Sequence, residues 1–338
     1  MQEEAMADDV DLTEDMLTWS EIEARVFLES GGTLRPSAPD VWAMWFPHWT
    51  QPLTMPKLRC VCLHPMGSSA SYWHARAKTS DNLQGFAASV GFSNPFMEAP
   101  GVELLAPELP GRERRRKETP FESLDAATDA LAGLLAPVLA QGIPYLLVGH
   151  SMGTWVAFDL WPKLAAKGVA PPLALCPSNF PCPFFKPEDL PWPREPMPPA
   201  LVKANGDLEL PEYQKAAQMK WGAPEAAFTP DALKAWYPTA RSDQNMLTTY
   251  EFSGPRDPPP RLPMPVWAVH ASGDQAVALT VTAKWGLLAR SDEEFEMLEI
   301  PSFPHLFHKE EDARQQAMDF LLELASDKLG LFKGRRVT

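Results

Sequence analysis

The chain has 338 residues, 45% of them hydrophobic, and a formal net charge of −14. That is apolar material enough for one large domain with an insertion or for two domains, and the acidic balance argues against a nucleic-acid partner. Four cysteines (Cys60, Cys62, Cys176, Cys182) are too few for a disulfide framework, and no second Cys/His cluster turns Cys60 and Cys62 into a metal pair.

The first 30 residues hold ten acidic side chains against one basic, Arg25. Leu17, Ile22, Val26 and Phe27 recur near helical spacing before "GGTLRPSAP" breaks the pattern. Residues 1–40 therefore read as an acidic appendage, either a helix capping the body or a docking helix. The start lacks the basic residues and apolar run of a secretory signal, and no stretch reaches membrane-spanning length. A cytoplasmic monomer without metal or cofactor is the expectation.

From residue 41 to 338 strands and helices alternate. "LRCVCL" (58–63) and "VELLAPEL" (102–109) read as strands, and 122–140 as an amphipathic helix. "YLLV" (145–148) then runs into a helix, followed by "PLALC" (172–176). After a long interruption come "PVWAVHA" (265–271), a helix near 278–289, "EFEMLEI" (294–300) and a last helix within 309–325. Short, continuously apolar strands separated by helices predict a mostly parallel sheet covered on both faces, an α/β fold.

The interruption, about 178–262, reads as an insertion. Eleven prolines fall within 171–200, so stiff, extended connections are expected there. Three short helices follow, in "LPEYQKAAQMKWG", "TPDALKAWY" and "TARSDQNMLTTYEF". The segment is either a helical lid over a site or a subdomain with no gating role.

Chemistry enters at "YLLVGHSMGTWVAF". Gly149-His150-Ser151-Met152-Gly153 places a serine between two glycines on a strand-to-helix corner. A turn that sharp leaves no room for side chains at the glycines and pushes the serine hydroxyl clear of the sheet. A serine nucleophile needs an imidazole base, an acid to orient it and two N–H donors for an oxyanion. In α/β-hydrolases, which this motif resembles, serine, acid and histidine follow in that order, with the histidine in the loop after the last strand. His305 fits that position, with His308 as competitor. Asp274, in the Gly273-Asp274 turn after "VWAVHA", is the favoured acid, ahead of Asp292 and Asp243. The oxyanion donors expected are Met152 and, from the loop "LHPMGSSASYW", Met66, with Gly67 as alternative because Pro65 has no N–H. His150 and His270 read as packing residues, and His64 as shaping its loop.

With these residues in hand the chain resembles the type II thioesterases, stand-alone editing enzymes of polyketide and nonribosomal peptide assembly lines. "WFPHWTQPLTMPKLRCVCLHPMGSSASYW", "LLAPELPGRERRRKE" with Pro110-Gly111-Arg112, the "GHSMG" elbow, and Arg241-Ser242-Asp243 with Tyr250 carry the likeness. The first loop is one residue shorter than that family's Gly-Gly form, and "PSFPHLFH" lacks its glycines. The resemblance implies hydrolysis of acyl thioesters carried on the phosphopantetheine arm of an acyl or peptidyl carrier protein. A carboxylester hydrolase, a lipase or an acyltransferase would use the same triad. Met219, Trp221, Trp236 and Met246 then become candidates to line an acyl tunnel, or else form the insertion's own core. Arg114, Arg115 and Arg116 become candidates for docking an acidic carrier, or else form a solvated loop.

Overall fold

The computed structural model describes residues 39–47, 56–74, 101–192 and 195–330. Of the acidic appendage expected over residues 1–40, residues 1–38 lie outside the described residues. Helix α1 (Pro39–Trp45) already belongs to the body, since it buries Trp42 and Trp45.

Among the described residues six strands form one parallel sheet: β1 (Leu58–Leu63), β2 (Val102–Leu105), β3 (Tyr145–His150), β4 (Ala174–Ser178), β7 (Val266–Ala271) and β8 (Phe295–Ile300). Their order across the sheet is β2-β1-β3-β4-β7-β8. Because all six run the same way, every loop that leaves a strand's C-terminal end emerges on one edge, where open α/β sheets bind ligands. β2 stops four residues short of the expected Leu109. Pro107 lacks the N–H a ladder needs, and the chain turns there into the "PGRERRRKE" loop.

Alternation along the strands divides the core into two layers. Val61, Leu63, Leu147 and Leu175 pack with α2 (Leu124–Leu139) and α3 (Met152–Ala166). Cys60, Cys62, Val148 and Cys176 face the other way, against Ala313, Ala317, Met318 and Leu321 of α7 (Glu311–Leu329). The cysteines are packing residues; burial pushes the Cys62 and Cys176 thiols well up and keeps them unreactive.

The insertion between β4 and β7 carries a two-stranded hairpin that the sequence did not reveal, β5 (Leu201–Val202) with β6 (Leu208–Glu209). Its turn is closed by Asn205 and a left-handed Gly206. Helix α4 (Glu212–Lys220) falls where expected. The next two expected helices are a single one, α5 (Pro230–Thr249), running through Pro238. Proline removes one intrahelical bond and costs about 3 kcal/mol inside a helix. Burial of Leu233, Tyr237 and Ala240 in the insertion's own core, and of Met246 and Leu247 in the core of the sheet, offsets that cost. Near 278–289 the helix is a short α6 (Leu279–Ala283) that tightens into a 3₁₀ turn over Lys284–Leu288.

Candidate active site

Ser151 lies between β3 and α3 with φ +53° and ψ −127°, a strained conformation for a residue with a side chain. The two glycines explain how the corner closes. A Cβ at Gly149 would lie 2.4 Å from Thr154 Cα, and one at Gly153 only 2.1 Å from the Leu63 carbonyl oxygen. Both obstacles are backbone, which cannot give way. His150 points inward as expected: it is fully buried and its Nδ1 is hydrogen-bonded to Ser178 Oγ at 2.8 Å.

The loops after β7 and β8 meet beside this corner. His305 Nδ1 lies 2.7 Å from Asp274 Oδ2, and neither side chain reaches solvent beyond 1%. An ionised carboxylate accepts only N–H, so Nδ1 carries the proton and Nε2 keeps its lone pair. Asp274 is held from three further sides. Oδ1 accepts from the N–H groups of Ala276 (2.8 Å) and Val277 (3.1 Å), and Oδ2 accepts from Asn179 Nδ2 (2.8 Å). Gly273 permits the approach of the two loops, since a Cβ there would sit 2.6 Å from the Phe303 carbonyl oxygen.

His305 Nε2 is buried without a hydrogen-bond partner, and Ser151 and His305 line the same cleft. The competitors have other partners. His308 is packed between Trp73 and Phe307, with ring centroids at 4.8 and 4.1 Å, and burial and then Arg314 hold its imidazole well below the usual range. Asp292 pairs with Arg261 near the surface, and Asp243 pairs with Arg112.

Met152 is the first residue of α3, where no preceding turn can accept its N–H. In the loop after β1, Pro65 has no N–H, Gly67 donates to Asp243 Oδ2 at 2.8 Å and Ser68 to the Pro65 carbonyl at 3.2 Å. Met66 and Ser69 keep N–H groups that take no acceptor among the described residues, and of the two only Met66 lines the cleft with Ser151. This weighs against Gly67 as the oxyanion donor.

The rest of the cleft is mostly apolar. Trp221, Ala223 and Trp236 come from the insertion and Leu306 from the histidine loop. Trp221 sets its ring perpendicular to the His305 imidazole, centroids 4.8 Å apart. Of the four candidates for an acyl tunnel, Trp221 and Trp236 are here and two are not. Met219 faces solvent on α4, 51% exposed, and Met246 is fully buried in the core. Gln218, which no sequence signal marks, adds a polar side chain to the cleft beside Ser151 and His305.

The three candidate docking arginines also divide. Arg115 is buried: it stacks 4.0 Å over Trp45, grips Glu118 with two nitrogens and donates to the Glu108 carbonyl. It holds the loop and cannot meet a partner. Arg114 and Arg116 remain exposed, with Lys117 beside them. Asn179 is a further residue of the site with no signal in the sequence, because "CPSNFPCPF" reads as an undifferentiated proline-rich loop.

This combination of parallel sheet, strand–serine–helix corner and late histidine is that of an α/β-hydrolase. The chain matches the alpha/beta hydrolase family over residues 60–315 and belongs to that family. It is 31% identical over 135 residues to a probable cadicidin biosynthesis thioesterase of Streptomyces griseus, an alignment covering 40% of this chain and 32% of that protein. The chain thus spans about a third of that relative's length. It is 26% identical over 229 residues to the thioesterase PikA5 of Streptomyces venezuelae, covering 68% of each. The solved structure of the RedJ thioesterase from the prodiginine pathway of Streptomyces coelicolor has the same fold, with a TM-score of 0.61 at 20% identity over 83% of this chain and 98% of that one.

Proposed function

We propose that the protein is a serine thioesterase that releases acyl groups from the phosphopantetheine arm of carrier proteins. One observation carries the reading. The Asp274–His305 pair leaves His305 Nε2 without a hydrogen-bond partner in an apolar cleft that a strained serine also lines. The names of the two curated relatives support thioesters as substrates.

In this reading Ser151 Oγ attacks the thioester carbonyl carbon while Nε2 of His305 takes its proton. Asp274 steadies the imidazolium without accepting that proton. The Met152 and Met66 N–H groups stabilise the negative oxygen of the tetrahedral intermediate. The C–S bond then breaks, and the thiolate leaves with the proton from His305. Water, deprotonated by His305, attacks the acyl-serine, and the carboxylic acid departs as Ser151 regains its proton. No metal enters the scheme. Trp221 and Trp236 form the wall against which the acyl chain rests. Arg114, Arg116 and Lys117 form the basic patch that meets an acidic carrier.

Turnover of an acyl-pantetheine thioester, compared with the oxygen ester of the same acyl group, tests the substrate class. A kcat/KM for the thioester above that for the ester supports the reading. Preference for the ester would make the protein a carboxylester hydrolase. Transfer to an added alcohol or amine in place of water would make it an acyltransferase.

A further inference from the structure

Helix α5, part of the segment that the sequence offered as a lid, does more than cover the cleft. Trp236, Thr239, Ala240 and Asp243 stand at i, i+3, i+4 and i+7, on one stripe of the helix. That stripe is seated on two loops of the body. Gly67 has φ +68°, and a Cβ on it would meet Ala240 Cβ at 3.2 Å and the Trp236 ring at 3.3 Å. Thr239 Oγ1 donates to the Gly111 carbonyl at 2.7 Å.

Asp243, with no exposed surface, is the centre of the contact. Its Oδ1 accepts from Arg112 Nη2 at 2.8 Å, and its Oδ2 accepts from Arg112 Nη1 at 3.2 Å and from the Gly67 N–H at 2.8 Å. Arg112 Nη1 also donates to the Ser68 carbonyl at 2.9 Å and faces His64 Nε2 at 3.4 Å. His64 Nδ1 donates to the Pro65 carbonyl at 3.0 Å, which leaves Nε2 as an acceptor. Burial, and then Arg112, bring the His64 imidazole down to about 4, so it remains neutral beside the guanidinium. The His64 ring, the Gly67 N–H and the Ser68 carbonyl thus all turn to one buried ion pair. Met66 lies between them.

We infer that Asp243 and Arg112 are positioning residues for the oxyanion hole: their ion pair fixes the loop His64–Ser68 so that the Met66 N–H is the donor left for the substrate oxygen. The inference rests on the serine reading given above. It follows from two physical points. A buried ion pair adds little net stability over an apolar pair of the same shape, so its presence calls for a geometric account. An oxyanion donor stabilises a transition state only when it is oriented before the charge appears. On this account α5 is a fixed wall of the site.

The test compares wild type with Asp243→Asn and with the double variant Arg112→Met/Asp243→Leu. The double variant removes both charges at once and leaves neither buried alone. The readouts are kcat and KM on a short acyl-pantetheine thioester, the affinity for an acyl trifluoromethyl ketone that forms an oxyanion on a serine, and thermal melting. Asp243→Asn should lower kcat at least about tenfold with KM changed less than about twofold, below the 10²–10³ loss seen when a donor is removed outright. Affinity for the ketone should fall by a similar factor, because only the transition state and its mimics use the hole. The double variant should lose no more than about the single one, since the two residues act as a unit. Near wild-type kcat and ketone affinity in either variant, with cooperative melting retained, would overturn the inference alone. If Asp243→Asn does not fold, the double variant decides by the same criteria. A wild-type protein that neither turns over the thioester nor binds the ketone would overturn the serine reading, and this inference with it.

Discussion

Asn179 stands one residue past β4 with φ +45°, completely buried, and its amide is used at both ends. Oδ1 accepts from the Ala271 N–H and Nδ2 donates to Asp274 Oδ2, each at 2.8 Å. It therefore ties the acid to the end of β7 and holds the carboxylate that holds His305. A hydrogen bond to a charged group contributes about 1.5 kcal/mol or more. Asn179→Ala should accordingly lower kcat about tenfold with little change in KM, measured on an acyl-pantetheine thioester. An unchanged kcat would mean that the two backbone donors alone suffice to place Asp274. The histidines make a second prediction. His305→Ala should abolish turnover, whereas His308→Ala should retain it while melting at lower temperature, because its ring fills space between Trp73 and Phe307. Loss of activity in His308→Ala at a temperature where it remains folded would contradict the assignment of the base. The placement of Ser151, Asp274 and His305 at one edge of the sheet was legible in the sequence because each is announced by its neighbours: flanking glycines, a Gly-Asp turn after an apolar strand, and a loop before the last helix. Asn179 and Gln218 were not, since a single amide in a loop or on a helix carries no spacing signal. Arg115 was misread for a related reason. In "GRERRRKE" the charges look alike, and only the fold decides that one of them lies against Trp45.

At the scale of elements, the core strands and flanking helices followed from apolar runs and their punctuation, and the insertion did not. Pro238 reads as a break, yet α5 continues through it because residues on both sides of it are buried. Splitting that helix also lost its phase, which is why Met246 was offered to the cleft when it points to the core. The hairpin β5–β6 was hidden because strands of two residues have no periodicity to read. The cleft wall supplies a prediction at this scale. Trp236→Ala should shift kcat/KM across a series of acyl chain lengths toward longer chains, while Met219→Ala and Met246→Leu should leave the profile as it is. Trp221→Ala should shift the profile and also lower kcat, because its ring braces the His305 imidazole. A profile untouched by both tryptophan variants would remove them from acyl recognition. The corner itself tolerates no side chain at Gly153, where a Cβ would lie 2.1 Å from a backbone oxygen.

For the molecule as a whole, charge and pH give two further expectations and then the decisive one. Arg114, Arg116 and Lys117 are exposed cations in a chain of net charge −14. Reversing all three to glutamate should raise KM for an acyl-carrier substrate and leave that for free acyl-pantetheine nearly unchanged. The effect should shrink in high salt, since exposed charges are screened beyond about 8 Å at physiological ionic strength. Equal losses on both substrates would assign the loop to the fold instead. Glu108 is wholly buried, and desolvation, then Glu113, push its carboxyl up to about 8 from an ordinary 4.5. Between those values the folded chain holds a proton that the unfolded chain releases, so this group makes stability fall as pH rises from about 4.5 to 8. Glu108→Gln, which keeps an acceptor for the Ala70 N–H, should flatten the decline of the melting temperature between pH 6 and pH 8. A slope as steep as that of wild type would show that Glu108 ionises normally. Among the described residues no helix is long and apolar enough to cross a membrane. The central claim, that Ser151 carries the acyl group from a thioester, is tested most directly by mass spectrometry after rapid quenching of the protein with an acyl-pantetheine thioester. The account predicts one acyl mass on the peptide containing Ser151, transient in wild type and absent from Ser151→Ala, which should not release thiol. Continued thioester hydrolysis by Ser151→Ala, or an acyl group on any other residue along the reaction path, would contradict it.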